Sequence, residues 1–297
     1  MDFVSGVKHE RSPPTELGHN NSKRLRSAAT ATEELERYIN DLSENSFSVE
    51  KITDLIDKKG ANPNVLRERD HRTLLIWLCM LGLREVEGAF HGGLKTVFRF
   101  LLSRQNIDVN FRESGGNMLI HYVSDMTDPW FLNILLMEKR ESCAYINSLG
   151  SMGLSPLHLV CSSSVAPIQN IVKLLDEGAN PNQRSRNVGY TPLRFALFTY
   201  GLTGNLDRLA GIFDSFFKFG IHLDNQGDGG GDTILHVVAK TINDAGFCTK
   251  ILNHGGDQSL YVQNGGGFTP LEEAVRQGND GVVGVIQKFL RRGARAG

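Results

Sequence analysis

Residues 227 to 236, GDGGGDTILH, place four glycines and two aspartates ahead of an apolar segment. Three chemistries suit such a stretch: backbone amides cradling a phosphate, carboxylates ligating calcium, or a plain turn before a helix. A calcium loop counted from Asp224 needs a glutamate at its twelfth position, where Leu235 stands. A phosphate loop needs a following Gly-Lys-Ser/Thr, which is missing. The turn remains. His158 and Cys161 form a second candidate, an imidazole beside a thiol, but Cys161 lies where an apolar helix face is expected, so it reads as core. His121, His158 and His236 recur at one position of a repeated pattern, which points to hydrogen bonds near helix starts rather than to catalysis. No His-Glu-x-x-His and no Gly-x-Ser-x-Gly occurs. We therefore assign no catalytic, cofactor-binding or metal-binding residue and expect a protein that is not an enzyme.

The elements that hold these residues emerge from self-comparison. HRTLLIWLC (71–79), GNMLIHYVS (116–124), GLSPLHLVC (153–161), GYTPLRFAL (189–197), GDTILHVVA (231–239) and GFTPLEEAV (267–275) are one pattern written six times. Their central aliphatic residues, Leu75, Ile120, Leu157, Leu193, Leu235 and Leu271, are spaced by 45, 37, 36, 42 and 36 positions. Each is followed by a second segment with apolar residues at i, i+3 and i+4, as in IVKLLDEGANPN, which predicts one buried helix face. Ser155-Pro156, Thr191-Pro192 and Thr269-Pro270 supply a capping oxygen and then a residue suited to the first helical turn. Gly60, Gly178, Gly220 and Gly255 stand where a second helix must stop in a left-handed conformation. Trp77, Phe195, Phe216 and Phe217 fall on apolar positions and are expected in the core. Two short helices cannot bury their faces alone; about three or more stacked units can.

The 32 basic and 33 acidic residues leave a net charge of −1, so no overall basic footprint points to nucleic acid. The longest apolar run, residues 74 to 83, is too short to span a bilayer, and the first thirty residues contain no secretory signal core. The four cysteines are scattered without a Cys-x-x-Cys, which suits a reducing compartment. Residues 1–31 are polar, contain Pro13-Pro14 and Lys23-Arg24-Leu25-Arg26, and read as a flexible tail ahead of a domain over 32–297. A cytoplasmic location is expected. The basic cluster is a candidate for nuclear import or for contact with an acidic surface, against a simple solvated tail.

The six segments resemble the ankyrin repeat, whose pattern runs approximately D-x-x-G-x-T-P-L-H and later V-x-x-L-L-x-x-G-A-x-x-N. GANPN at 60–64 and 178–182 fits the repeat end, and Asp228 to His236 fits the start at every place but the proline, where Ile234 stands. The glycines of the opening stretch thus resemble a finger turn between repeats. The spacings exceed the family's roughly 33 residues, so lengthened connections are expected at 82–94 and 200–207. Histidine at the helix start is replaced by Ile76, Arg194 and Glu272. The resemblance implies an all-α solenoid of six to seven helix-turn-helix units with finger loops, a monomer without a cofactor that binds a partner protein through its concave face. The alternative is a secreted effector or regulatory subunit that docks on a host or enzyme partner, acting in the host cytosol. Carried onto this chain, the variable positions are Arg69, Asp70, Arg72, Met80, Asn117, Met126, Met152, Leu154, Asn187, Val188, Tyr190, Phe198, Asp232, Lys240, Phe268, Arg276 and Gln277. Arg72, Met152, Leu154, Tyr190, Phe198, Lys240, Phe268 and Arg276 are taken as the partner-binding set, since aromatic, Met and Arg side chains anchor interfaces.

Overall fold

The computed structural model describes residues 16–42, 46–82, 89–223 and 230–296. Fourteen α-helices are present among them: α1 (Glu16–Asn40), α2 (Val49–Thr53, continued by a π-turn Asp54–Lys58), α3 (Leu74–Gly82), α4 (Ala89–Leu102), α5 (Leu119–Asp125), α6 (Trp130–Glu138), α7 (Pro156–Ser162), α8 (Ile168–Asp176), α9 (Pro192–Thr203), α10 (Leu206–Phe217), α11 (Ile234–Thr241), α12 (Ala245–Asn253), α13 (Pro270–Arg276) and α14 (Asp280–Ala296). The chain is all-α, with one isolated backbone bridge between Leu66 and Thr73 among the described residues. The helices form two rows. Inner helices α3, α5, α7, α9, α11 and α13 pack in chain order, while α2, α4 and α6, α8 and α10, and α12 and α14 pack behind them. One apolar core runs without a break from Ala31 to Ile286.

The local causes are the expected ones. Ser155, Thr191 and Thr269 accept an N–H from the third residue of α7, α9 and α13, and a proline follows each. Gly116, Gly153, Gly189, Gly231 and Gly267, the glycines of the repeated pattern, all have φ between +67° and +90°. At Gly153 a Cβ would sit 2.4 Å from the Cβ of Arg186 and 2.9 Å from its backbone nitrogen, so close approach between neighbouring turns demands glycine as well. The asparagines that end the second helices lock consecutive units together. Asn64 donates to the carbonyl of Asn106 (2.6 Å) and accepts from the amide of Asp108 (2.8 Å), and Asn182 does the same to Gly220 and His222 (3.0 and 2.8 Å). Asn147 repeats the clasp on Gly178 and Asn180.

Four expectations are corrected. Residues 16–30, read as a flexible tail, belong to helix α1; residues 21–30 are exposed or half-buried and contain good helix formers, and burial begins at Ala31 among residues 21–31. Residues 1–15 lie outside the described residues. The extra length expected as a loop at 200–207 is mostly an added turn of α9, which ends at Gly204 in the left-handed region. Within 82–94, residues 83–88 lie outside the described residues, and 89–94 already belong to α4. Phe217 is not core: it is exposed at the end of α10, edge-on to His254 at 4.2 Å, while Phe216 is fully buried. Trp77 and Phe195 are half-buried, and Arg67 lies 3.6 Å over the Trp77 ring.

Candidate functional site

The would-be catalytic groups are all engaged in holding the stack. In His158, Nδ1 accepts the Ser155 amide proton (3.2 Å) and Nε2–H donates to the carbonyl of Tyr190 in the next unit (2.9 Å). His236 binds the Thr233 amide and the Phe268 carbonyl at 3.1 and 2.8 Å, and His121 binds the Met118 amide and the Ser148 carbonyl at 3.2 and 3.1 Å. These rings are neutral. Burial pushes His121 and His158 down to about 4 and lowers His236. Cys161 is fully buried, its thiol pushed well above the ordinary range by desolvation, and both nitrogens of His158 are occupied, so no imidazole is left to activate it. No group of three or more His, Cys, Asp or Glu suited to a metal occurs among the described residues.

Arg194 stands where histidine is missing and makes the same bridge: its guanidinium donates to the carbonyl of Asp232 in the next unit (2.9 Å). Sequence reasoning noted the replacement but missed its meaning, which follows from both side chains being donors that reach one unit ahead. Glu272 instead accepts from the Thr269 amide (2.7 Å), closing its own helix start.

The fingers form a row. Their hairpins close through Arg67–Arg72, Glu113–Asn117, Gly150–Leu154, Ser185–Tyr190 and Asn264–Phe268 backbone bonds. Neighbours join edge to edge: Arg112 donates to the Leu149 carbonyl (2.8 Å), Arg186 N to Gly153 O (3.0 Å), and Gly265 N to Gly230 O (2.6 Å). Gly230 to Thr233 thus have the turn geometry expected of the glycine-rich stretch; Asp228 and the rest of 224–229 lie outside the described residues.

On this row the proposed binding residues divide. Met152 stands 69% exposed at a finger tip in a left-handed conformation, with Val188 and Asn187 exposed on the next finger. Phe268 is 36% exposed, and Arg276 lies 5.1 Å over its ring. Lys240, Phe268 and Arg276 share one depression with Asp232, Asn264 and Glu273. Lys240 pairs with Asp232 at 2.7 Å, and Arg276 with Glu273 at 2.8 Å. Burial alone would raise both carboxyls, but hydrogen bonds from Lys240 and Asn264, and from Gln277 and Arg276, outweigh it and lower them. Tyr190 and Phe198 stack at 5.5 Å beneath the Arg194 guanidinium, so they are half-buried and partly structural. At the other end Arg72 binds Glu113 (2.6 Å) and Asp70 (3.0 Å), and Tyr122 donates to the other Glu113 oxygen (2.7 Å). Glu113, Tyr122, Arg67 and Glu273 are not marked by the repeated pattern: Glu113 meets Arg72 across 41 positions, whereas Arg67–Asp70 and Glu273–Arg276 are local i,i+3 pairs that a reading by pattern passes over.

Two residues leave the candidate set. Leu154 is buried, because the Gly150–Leu154 hairpin turns its side chain under the finger, and Met126, at the end of α5, is buried, its Cε 2.8 Å from where a Cβ at Gly82 would stand. Asn117 is used within the row, accepting from the Ser151 amide (2.8 Å). Arg69 is exposed and Met80 half-buried.

Comparison with known proteins agrees with this geometry. Residues 152–186 match the ankyrin repeat family. A solved structure of the ankyrin repeat domain of Bcl-3, described as a unique member of the IkappaB protein family, superposes with a TM-score of 0.62 at 18% identity, covering 85% of this chain and 97% of that one. The fold is therefore that of an ankyrin-repeat solenoid. No described helix is long and apolar enough to cross a membrane.

Proposed function

We propose that this ankyrin-repeat protein is a non-catalytic module that holds a partner protein along its fingers and inner helices. The observation that carries the reading is the finger row itself: backbone bonds fix neighbouring turns, and Met152, Val188 and Phe268 stand exposed on them. A prearranged surface loses little conformational entropy on association, so exposed apolar anchors contribute fully to affinity.

Tyr190 is a poor probe, since its ring packs on Phe195 and Phe198. Met152→Ala combined with Phe268→Ala is the cleaner test. The double variant should keep its helical circular dichroism and melt within a few degrees of the parent, while capture of partner from a lysate of the source organism falls roughly tenfold or more. Equal capture by parent and variant would remove this face from the reading.

A further inference from the structure

The charged pairs of the molecule are built in two ways. On the outer helices both members reach solvent in the Arg104–Asp57 and Lys250–Asp214 pairs, whose acids are 45 and 55% exposed, while Glu177, 15% exposed, lies beneath Arg140 and Lys173. On the finger side the acid lies underneath: Glu113, Asp232 and Glu273 are 4, 11 and 0% exposed, beneath Arg72, Lys240 and Arg276. A carboxylate that is buried orients its cation yet is shielded from an approaching ligand, so the accessible layer is positive. The fingers extend this layer with exposed Arg69, Arg112 and Arg186. Among the described residues Glu68 is the exposed acid of the fingers, Asp70 is half-buried between Arg67 and Arg72, and Glu272 is exposed at the start of α13; Asp224 and Asp228 lie outside them. The chain as a whole carries a net charge of −1, so the positive strip is a local arrangement rather than a bulk excess.

Resting on the interaction reading above, we infer that this strip binds an extended acidic peptide that also carries apolar side chains. The apolar part follows from Met152 and Val188, exposed on the two neighbouring fingers that the Arg186–Gly153 backbone bond joins. A phosphate backbone would satisfy the cations and leave both of these side chains, and the Phe268 ring, in water. Complementary charge steers association and fixes which partner is accepted.

The test uses the full chain and a fluorescein-labelled peptide of repeated Glu-Glu-Leu-Glu-Phe, read by anisotropy. The peptide should bind, and more weakly as salt rises. Arg69→Glu with Arg186→Glu should weaken it roughly tenfold or more without moving the melting temperature, since neither side chain is buried, and the corresponding Gln variants should fall between. A peptide with Lys for Glu should not bind, and Ser in place of Leu and Phe should reduce affinity. Binding unchanged by the charge reversal, or equal binding of the Lys peptide, overturns the inference; tighter binding of a single-stranded oligonucleotide overturns it in favour of nucleic acid. If the acidic peptide fails while capture still depends on Met152 and Phe268, the charge inference falls and the interaction reading stands.

Discussion

Between pH 6.5 and pH 4 the protein is expected to lose most of its folding stability. His121 and His158 ordinarily titrate near 6.5, and burial lowers both to about 4 in the folded chain. A folded pKa that is depressed means the unfolded chain binds the proton first. The stability these rings contribute is therefore complete above 6.5 and is lost as pH falls toward 4, at about 3 kcal/mol for each ring by pH 4. Lowered carboxyls such as Asp232 and Glu273 act in the same direction at lower pH, while Asp125, whose carboxyl burial raises, acts against it. Against a typical total of about 5–15 kcal/mol, losing two such contributions removes a large share of the stability, and all of it at the low end of that range. Urea melts at stepped pH measure the loss. A stability that stays level down to pH 4.5, or His121 and His158 ring protons titrating near 6.5 by NMR, would refute the assignment of these rings as neutral bridges.

His158→Leu is expected to be nearly as damaging, costing about 3 kcal/mol at neutral pH. Leucine roughly fills the volume but leaves the Ser155 amide without its partner and takes from the Tyr190 carbonyl the bond that crosses between units, leaving it only the Ser185 amide, and an unsatisfied buried polar group costs about 1–3 kcal/mol. The bridge joins two units near the middle of the stack, where each unit depends on its neighbours for burial. Glu272→Leu should cost much less, because Glu272 caps only its own exposed helix start in the last unit. Equal losses in the two variants, measured by chemical denaturation, would mean that the inter-unit bond carries no special weight.

Much of this architecture is legible from residue order because its determinants are local. A Ser/Thr-Pro cap, an aliphatic centre and a terminating glycine each act within one turn, and Ser155, Thr191, Gly178 and Gly220 do what their types dictate. What is hidden depends on distance or on partners. His71 takes the left-handed position that glycine fills in the other units, at φ 53°, so the first finger departs from the pattern without a sign in its apolar period. The added residues of the fourth unit extend α9 instead of a loop, because LFTYGLT offers no breaker before Gly204 except Gly201, which tolerates helix. Leu154 and Met126 occupy variable positions yet are buried, Leu154 because the hairpin beside it sets which side of the finger it faces, and Met126 because the end of α5 packs at Gly82. The buried acids beneath Arg72, Lys240 and Arg276 are likewise invisible in a list of charges, and they decide the sign of the accessible surface.

The account rests on the finger side being the face that meets a partner. A photo-crosslinking amino acid placed at Val188, on a finger tip, and separately at Met137, more accessible still on outer helix α6, puts the question to the molecule directly. The account predicts that the captured partner becomes covalently joined through position 188 and not through 137. Attachment through 137 with none at 188 would contradict it.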